Sequence, residues 1–288
     1  MRNFFCLFLV LVTLSLMASH YKYDLSICMI FKDEAPYLKE WIEFHRLLGV
    51  DHFYLYDNNS KDNCHEVLRP YLQNGVVELI EWPQVATNIA EWDQIQVAAY
   101  NDGFNRAKTK TKWLAIIDSD EFLFPTVENN LKKFLKKYEK QKAIGGILVS
   151  WVCFGTSWVE KIPDNKLLIE TLTLSAASGS DHFKCVFMPK KVSHVCSPHY
   201  VIYKDGYRHC TPSGEMPPFI EIDKIRINHY WSRDEWYLNN FKTPRRVLWG
   251  TDPATSQLWG HASNRDYDST ILRFVESLRK RMENGKKL

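Results

Sequence analysis

Two rhythms of hydrophobic and polar positions alternate along this chain. Leu25-Ser26-Ile27-Cys28-Met29-Ile30-Phe31 is a nearly unbroken apolar run of strand length, the pattern of a strand buried on both faces. Pro36 then opens a 3.6-residue rhythm, with Leu38, Trp41, Ile42, His45 and Leu48 on one stripe, and Gly49 stands where a helix end favours glycine. Residues 52–56 predict a second strand, stopped by Asp57-Asn58-Asn59-Ser60. A short helix over 67–72, a strand over 76–80, a helix over 93–107 and a strand over 113–117 follow. The succession predicts a Rossmann-like α/β unit, a mostly parallel sheet with helices on both faces. Residues 131–142 form a lysine-rich amphipathic pattern whose charged side reads as solvated.

Past Gly145 the runs shorten. Residues 147–154, 167–174, 185–188 and 220–227 predict strands separated by turns such as Thr211-Pro212-Ser213-Gly214, and 269–283 predicts a closing helix. This half reads as a mixed or antiparallel extension of the same sheet, with long loops free to form an acceptor site. No linker, low-complexity tract or repeat divides residues 24–288, so they read as one domain of two halves, 24–145 and 146–288.

Composition narrows the classes. The chain has 288 residues, 37 Lys+Arg against 34 Asp+Glu, 45% hydrophobic and 25% charged positions, which excludes disorder and a multi-span membrane protein. Near-neutral charge also argues against a nucleic-acid partner. Residues 1–23 read differently from the rest: one arginine, an apolar run from Phe4 to Met17, then Ala18-Ser19. That is the layout of a secretory signal peptide or a short membrane anchor, pointing to the secretory pathway, or to the cytoplasmic membrane face in a bacterium. Six cysteines after the leader permit disulfides but show no C-x-x-C spacing, and Cys28 reads as a small core residue. Neither G-x-G-x-x-G nor a P-loop is present.

The chemistry concentrates where the fourth strand ends, at Ile117-Asp118-Ser119-Asp120-Glu121. In extended backbone, residues i and i+2 share a face, so Asp118 and Asp120 are expected to converge at the carboxyl end of a strand, where open α/β sheets bind ligands. Paired carboxylates repel unless a cation joins them, and Mg2+ or Mn2+ would bridge them to a diphosphate. A solvated acidic turn is the plain alternative.

Asp118-Ser119-Asp120-Glu121-Phe122-Leu123 with Pro125 resembles the metal-binding segment of GT-A glycosyltransferases, specifically family 92 and its family-2-like relatives. The blocks from Lys32 to His45 and from Gly49 to Asp62, then Gln96, Tyr100-Asn101-Asp102 and Trp113, agree with that family in order and spacing. Asn228-His229-Tyr230-Trp231-Ser232 and Ser150-Trp151-Val152-Cys153-Phe154-Gly155 resemble its later blocks, as does the one carrying His199 after Lys184 and Pro189. The resemblance implies a GT-A fold and a metal-dependent, inverting transfer of a hexose from a nucleotide sugar, such as a UDP-hexose, to a hydroxyl of a glycan or glycoconjugate.

It also implies roles. Asp118, Asp120 and His229 would hold the metal. Asp33, Glu34, Asp57 and Asp102 would face the nucleotide, and Lys242, Arg245 and Arg246 its phosphates. Trp151, Phe154 and His199 would meet substrate. The acceptor base is sought among Glu160, Asp181, Glu215, Asp234 and Glu235, with Asp234 or Glu235 favoured for lying near His229. Trp158 stands where the family usually carries glycine, which puts a large ring beside the acceptor pocket. A sugar nucleotidyltransferase and a catalytically silent carbohydrate-binding protein of the same fold are the competing readings.

Overall fold

The computed structural model describes residues 21–284 apart from 177, 218 and 219, so the leader reading lies outside it up to residue 20. Among the described residues no helix is long and apolar enough to cross a membrane. The first half follows the predicted alternation: β1 (Tyr23–Phe31), α1 (Ala35–Leu47), β2 (His52–Asp57), α2 (Cys64–Gln73), β3 (Val77–Glu81), α3 (Ile89–Ala107) and β4 (Thr111–Ile116). Then come β5 (Glu121–Pro125), α4 (Leu131–Glu139) and β6 (Ile144–Cys153). The second half adds α5 (Leu168–Thr171), β7 (Leu174–Ser175), β8 (Phe183–Phe187), β9 (Val192–Ser197), β10 (Tyr200–Tyr203), β11 (Arg208–Cys210) and β12 (Ile225–His229). It closes with α6 (Glu235–Tyr237), α7 (Thr243–Leu248), α8 (Pro253–His261), β13 (Asp266–Tyr267) and α9 (Val275–Asn284).

One sheet takes strands from both halves, in the order β3-β2-β1-β4-β8-β6-β12-β5 with β11 beside β6. It is parallel from β3 to β4, turns antiparallel at β8, and pairs β12 parallel with β6 but antiparallel with β5. β1 shows why the centre is apolar on both sides. Leu25, Ile27, Met29 and Phe31 enter one core with Trp41, Ile42 and Phe44 of α1, while Cys28 and Ile30 enter the other with Tyr100 and Phe104 of α3. Gly103 lets α3 approach β1 that closely, because a Cβ there would lie 2.4 Å from the Cys28 sulfur. Gly49 takes the left-handed conformation (φ +98°) that ends α1.

The second half departs from its pattern in places. Of the strand expected over 167–174 only Leu174 is in one, at the start of β7: the Glu40 carboxylate accepts from the Leu168 and Ile169 N–H groups at 2.8 and 3.1 Å and caps a single helical turn there. The strand expected over 220–227 begins only at Ile225. β5 arises because Glu121–Pro125 pairs with β12, a partner more than 100 residues away that no local pattern announces. All six cysteines among the described residues are free thiols, and Cys28 is fully buried.

α1 is pinned to β5 from behind. The Trp41 indole donates to the Glu121 carbonyl at 2.8 Å, and His45 donates from Nδ1 to the Trp41 carbonyl while its Nε2 accepts from the Leu123 N–H. Burial drives the His45 imidazole down to about 3, so it is neutral.

Candidate active site

At the carboxyl ends of β1 and β4 lies a cavity of about 410 Å³, floored by Phe31, Asp118 and Asp120 and walled by Trp151, His229 and Arg246. Asp118 and Asp120 both reach it, but not by strand alternation. β4 ends at Ile116, and the two acids sit in the turn before β5. They therefore diverge. Asp118 Oδ1 accepts from the Tyr100 hydroxyl at 2.7 Å and the Gln96 amide at 3.0 Å, and its Oδ2 takes the fully buried Lys184 ammonium at 2.7 Å. Asp120 turns the other way, with Oδ2 3.0 Å from Lys242 Nζ and Oδ1 3.6 Å from His229 Nε2.

Burial alone would raise both carboxyls. Lys184 overcomes it at Asp118 and holds that group below the usual range; Lys242 and His229 hold Asp120 well below it. Glu121 goes the other way: burial and the neighbouring Asp118 charge raise it well above the usual range, against the pull of Lys184 at 3.7 Å. Lys184 keeps its proton, because Asp118 and Glu121 outweigh its burial. Burial lowers Lys242 to about 8 even beside Asp120.

A second part of the lining is basic. After α6 the helix widens into one π-helical turn, Leu238–Lys242, just before Thr243-Pro244, whose proline has no N–H to continue the ladder. The turn aims Lys242 inward, and α7 carries Arg245 and Arg246 onto the same wall. Both guanidinium Nε atoms are buried without a hydrogen-bond partner. Trp249 stacks on Trp92 at 5.8 Å, and this pair separates the main cavity from a neighbouring one of about 310 Å³ that holds Asp33 and Asn58. On the far side Trp151 packs against His182, His199 and His229, with ring centroids 5.3, 5.3 and 4.1 Å away.

Several expected site residues are placed elsewhere. Asp234 caps α6: its two oxygens accept from the Tyr237 and Ile162 N–H groups at 2.8 and 2.7 Å, so neither is free for an acceptor. Glu235 is held by Thr156 and His261 at 2.6 and 3.0 Å, away from the cavity lining. Phe154 is buried against Tyr230 as core, not a sugar wall. Asp102 binds Arg106 and the Tyr56 hydroxyl on the flank of α3. Asp57 is buried at the end of β2, accepting from the Ser60 N–H at 2.9 Å, and does not line the cavity. Glu34 does line it, but its carboxylate is committed to Arg233 and to the Tyr237 hydroxyl at 3.2 Å.

The metal set is also split: among the described residues, Asp118, Asp120 and His229 do not bring three ligand atoms within 4.8 Å of one another. Asp120 Oδ1 and His229 Nε2 form the closer pair on the cavity lining; the carboxylate oxygen suits Mg2+ or Mn2+, and the added imidazole nitrogen suits Mn2+ better than Mg2+. Residue-by-residue reading gave Lys184 no role in the site, although a lysine inside the apolar strand Phe183-Lys184-Cys185-Val186-Phe187 is itself a signal of a buried counter-ion. Trp92, Trp231, Trp249 and His182 also went unassigned.

A parallel-centred α/β sheet with acids at the end of its fourth strand and a basic wall beside them is the layout expected of the GT-A class. The chain belongs to glycosyltransferase family 92, whose family model matches residues 23–243. It is similar to the glycosyltransferase family 92 protein At1g27200 of Arabidopsis thaliana, 26% identical over 78% of this chain and 38% of that one. It is likewise similar to the family 92 protein RCOM_0530710 of Ricinus communis, 29% identical over 73% and 35%. A shorter likeness, 28% over 38% of this chain and 27% of the other, joins it to the beta-1,4-galactosyltransferase galt-1 of Caenorhabditis elegans. The chain thus spans well under half the length of these relatives. Among solved structures it is distantly similar to S. aureus TarS in complex with UDP, with TM-score 0.34 and 9% identity over 65% of this chain and 60% of that one.

Proposed function

We propose that the protein transfers a hexose from a UDP-sugar to a hydroxyl of a glycan acceptor, with inversion. The observation that carries this reading is that Asp120 and His229 share one cavity with Arg245 and Arg246, cation holders beside anion holders, with Lys242 paired to Asp120 between them. That is the arrangement a nucleoside diphosphate with a divalent ion requires. Asp120 and His229, with Asp118 behind them, would hold Mn2+ or Mg2+, which when bound supplies Lewis acidity to the departing diphosphate.

The chain's own groups do the rest. Arg245 and Arg246 line the cavity and would give guanidinium N–H groups to the phosphate oxygens, favouring the state in which negative charge grows there. The smaller cavity behind Trp92 and Trp249 takes the nucleoside end. Trp151 offers a flat ring to the hexose. His199 replaces Asp234 and Glu235 as the proton acceptor in this reading: its Nδ1 donates to the Phe183 carbonyl at 2.9 Å, leaving Nε2 as a lone-pair acceptor. Burial and Lys184 lower its pKa, so the ring is neutral at pH 7 and ready to take a hydroxyl proton. The likeness to a beta-1,4-galactosyltransferase favours galactose as the hexose. Residues 1–23 as a leader or short anchor would put the enzyme in the secretory pathway or on a membrane.

A panel of nucleotide sugars, with Mn2+, with Mg2+ and with chelator, tests the reading on wild type and Asp120→Asn. Turnover of a UDP-hexose that falls about a thousandfold in the variant is expected. Comparable turnover in both proteins overturns the assignment of Asp120. Sugar binding with no turnover of any donor would favour the silent carbohydrate-binding alternative.

A further inference from the structure

The acid at the end of β2 has surroundings that the transfer reaction does not use. Elsewhere, Glu34, Asp118 and Asp120 are each paired with an arginine or lysine. Asp57 is just as buried, yet its only ion-pair partner among the described residues is His65, 3.4 Å from its Oδ2. The same oxygen lies 3.8 Å from the Cys64 sulfur. A second carboxylate oxygen, Glu81 Oε1, stands 3.7 Å from His65 Nε2. One carboxylate oxygen, one thiol and one imidazole nitrogen thus converge within 4.8 Å, contributed by the end of β2 and the first turn of α2.

These spacings fit a coordination sphere better than a hydrogen-bond cluster. Around a tetrahedral ion with bonds of about 2.0 Å to oxygen and nitrogen and 2.3 Å to sulfur, ligand atoms are separated by about 3.3–3.5 Å. A sulfur 3.8 Å from a carboxylate oxygen makes at best a weak hydrogen bond. The ligands are also oriented from behind. Asp57 Oδ1 is held by the Ser60 N–H at 2.9 Å, which leaves Oδ2 facing Cys64 and His65. The Cys64 N–H is held by Asp62 at 3.2 Å, fixing the turn that carries the thiol.

We propose that Asp57, Cys64 and His65 form a second metal site, separate from the sugar-nucleotide cavity, that takes a borderline-soft divalent ion of the Zn2+ class, with Glu81 or water completing the tetrahedron. Cys64 binds as thiolate and releases its proton to solvent. The ion ties the turn after β2 to the end of β3. The chain that leaves β3 is already held there, since the Asn58 amide donates to the Trp82 and Gln84 carbonyls at 2.8 Å. Gln84, Val85 and Ala86 then line the smaller cavity, so the site braces one wall of the proposed nucleoside pocket.

Cobalt substitution tests this on the full chain carrying Asp120→Asn and His229→Gln, which silence the cavity. One equivalent of Co2+ with a near-ultraviolet thiolate-to-cobalt charge-transfer band, displaced by Zn2+, is expected. Cys64→Ser should abolish the band, and His65→Gln, a change at an exposed residue that does not threaten the fold, should weaken Co2+ binding at least tenfold. Cys196→Ser, at the exposed cysteine, should leave the band intact. No thiolate band, a band lost with Cys196 instead, or binding unchanged by His65→Gln would each overturn the proposal; if Cys64→Ser fails to fold, the His65 result decides.

Discussion

The two walls of the cavity have opposite electrostatic histories. The acidic wall is settled within the protein: Lys184, Tyr100 and Gln96 saturate Asp118, and Lys242 covers one oxygen of Asp120. The basic wall is less settled: among the described residues Arg245 and Arg246 have no carboxylate within ion-pair distance, and their buried Nε atoms lack hydrogen-bond partners. Burying a charge without a partner is costly, so the first wall contributes to holding the fold together. Arginines left unpaired await an anion from outside. The difference separates residues that chiefly carry structure from residues that chiefly bind.

The contrast is broken most sharply at Lys184. Lys184→Met should destabilise the protein by about 3–5 kcal/mol, because it leaves the fully buried Glu121 and the partly buried Asp118 without their cation. Denaturant unfolding measures this, and a loss below about 1 kcal/mol would make Lys184 a binding residue instead. Arg245→Ala or Arg246→Ala should do the reverse, weakening UDP binding by about 10–100-fold per residue in calorimetry while leaving the unfolding midpoint nearly unchanged.

Behind the acidic wall, His45 gives a pH signature. Its folded value of about 3 lies below the ordinary 6.5, so the native state prefers the neutral ring. Stability is complete above about pH 6.5 and falls by about 1.4 kcal/mol per unit as pH drops toward 3. In His45→Gln, where the amide oxygen can still accept from Leu123, the slope between pH 6 and 4 should lessen by one proton; an unchanged slope would locate the titration elsewhere. The smallest effect belongs to Trp158, exposed, left-handed at φ 57° and stacked on His261 at 5.0 Å. Trp158→Gly should stabilise by about 1 kcal/mol through relief of that backbone, and thermal melting that moves downward would show the ring contact outweighs the strain.

The parallel half of the fold was legible because each strand and helix there carries its own period. β1 and α1 announce themselves by local pattern alone. The second half was less so, since its elements answer to distant partners: the α5 turn exists through Glu40, and β5 through β12. The same division holds in the site. Asp118 and Asp120 were visible as a motif, but their divergence depends on a turn that an extended reading could not foresee. Asp234 and Glu235 looked available for catalysis because sequence does not reveal which carboxylates are already capping a helix or bound to a neighbour.

β1 begins at Tyr23 and runs nine residues to Phe31 at the cavity, a span of about 26 Å. Tyr23 therefore lies at the end of the strand away from the mouth. A tether there would leave the opening facing outward, free to meet acceptors that approach from the side away from its mooring.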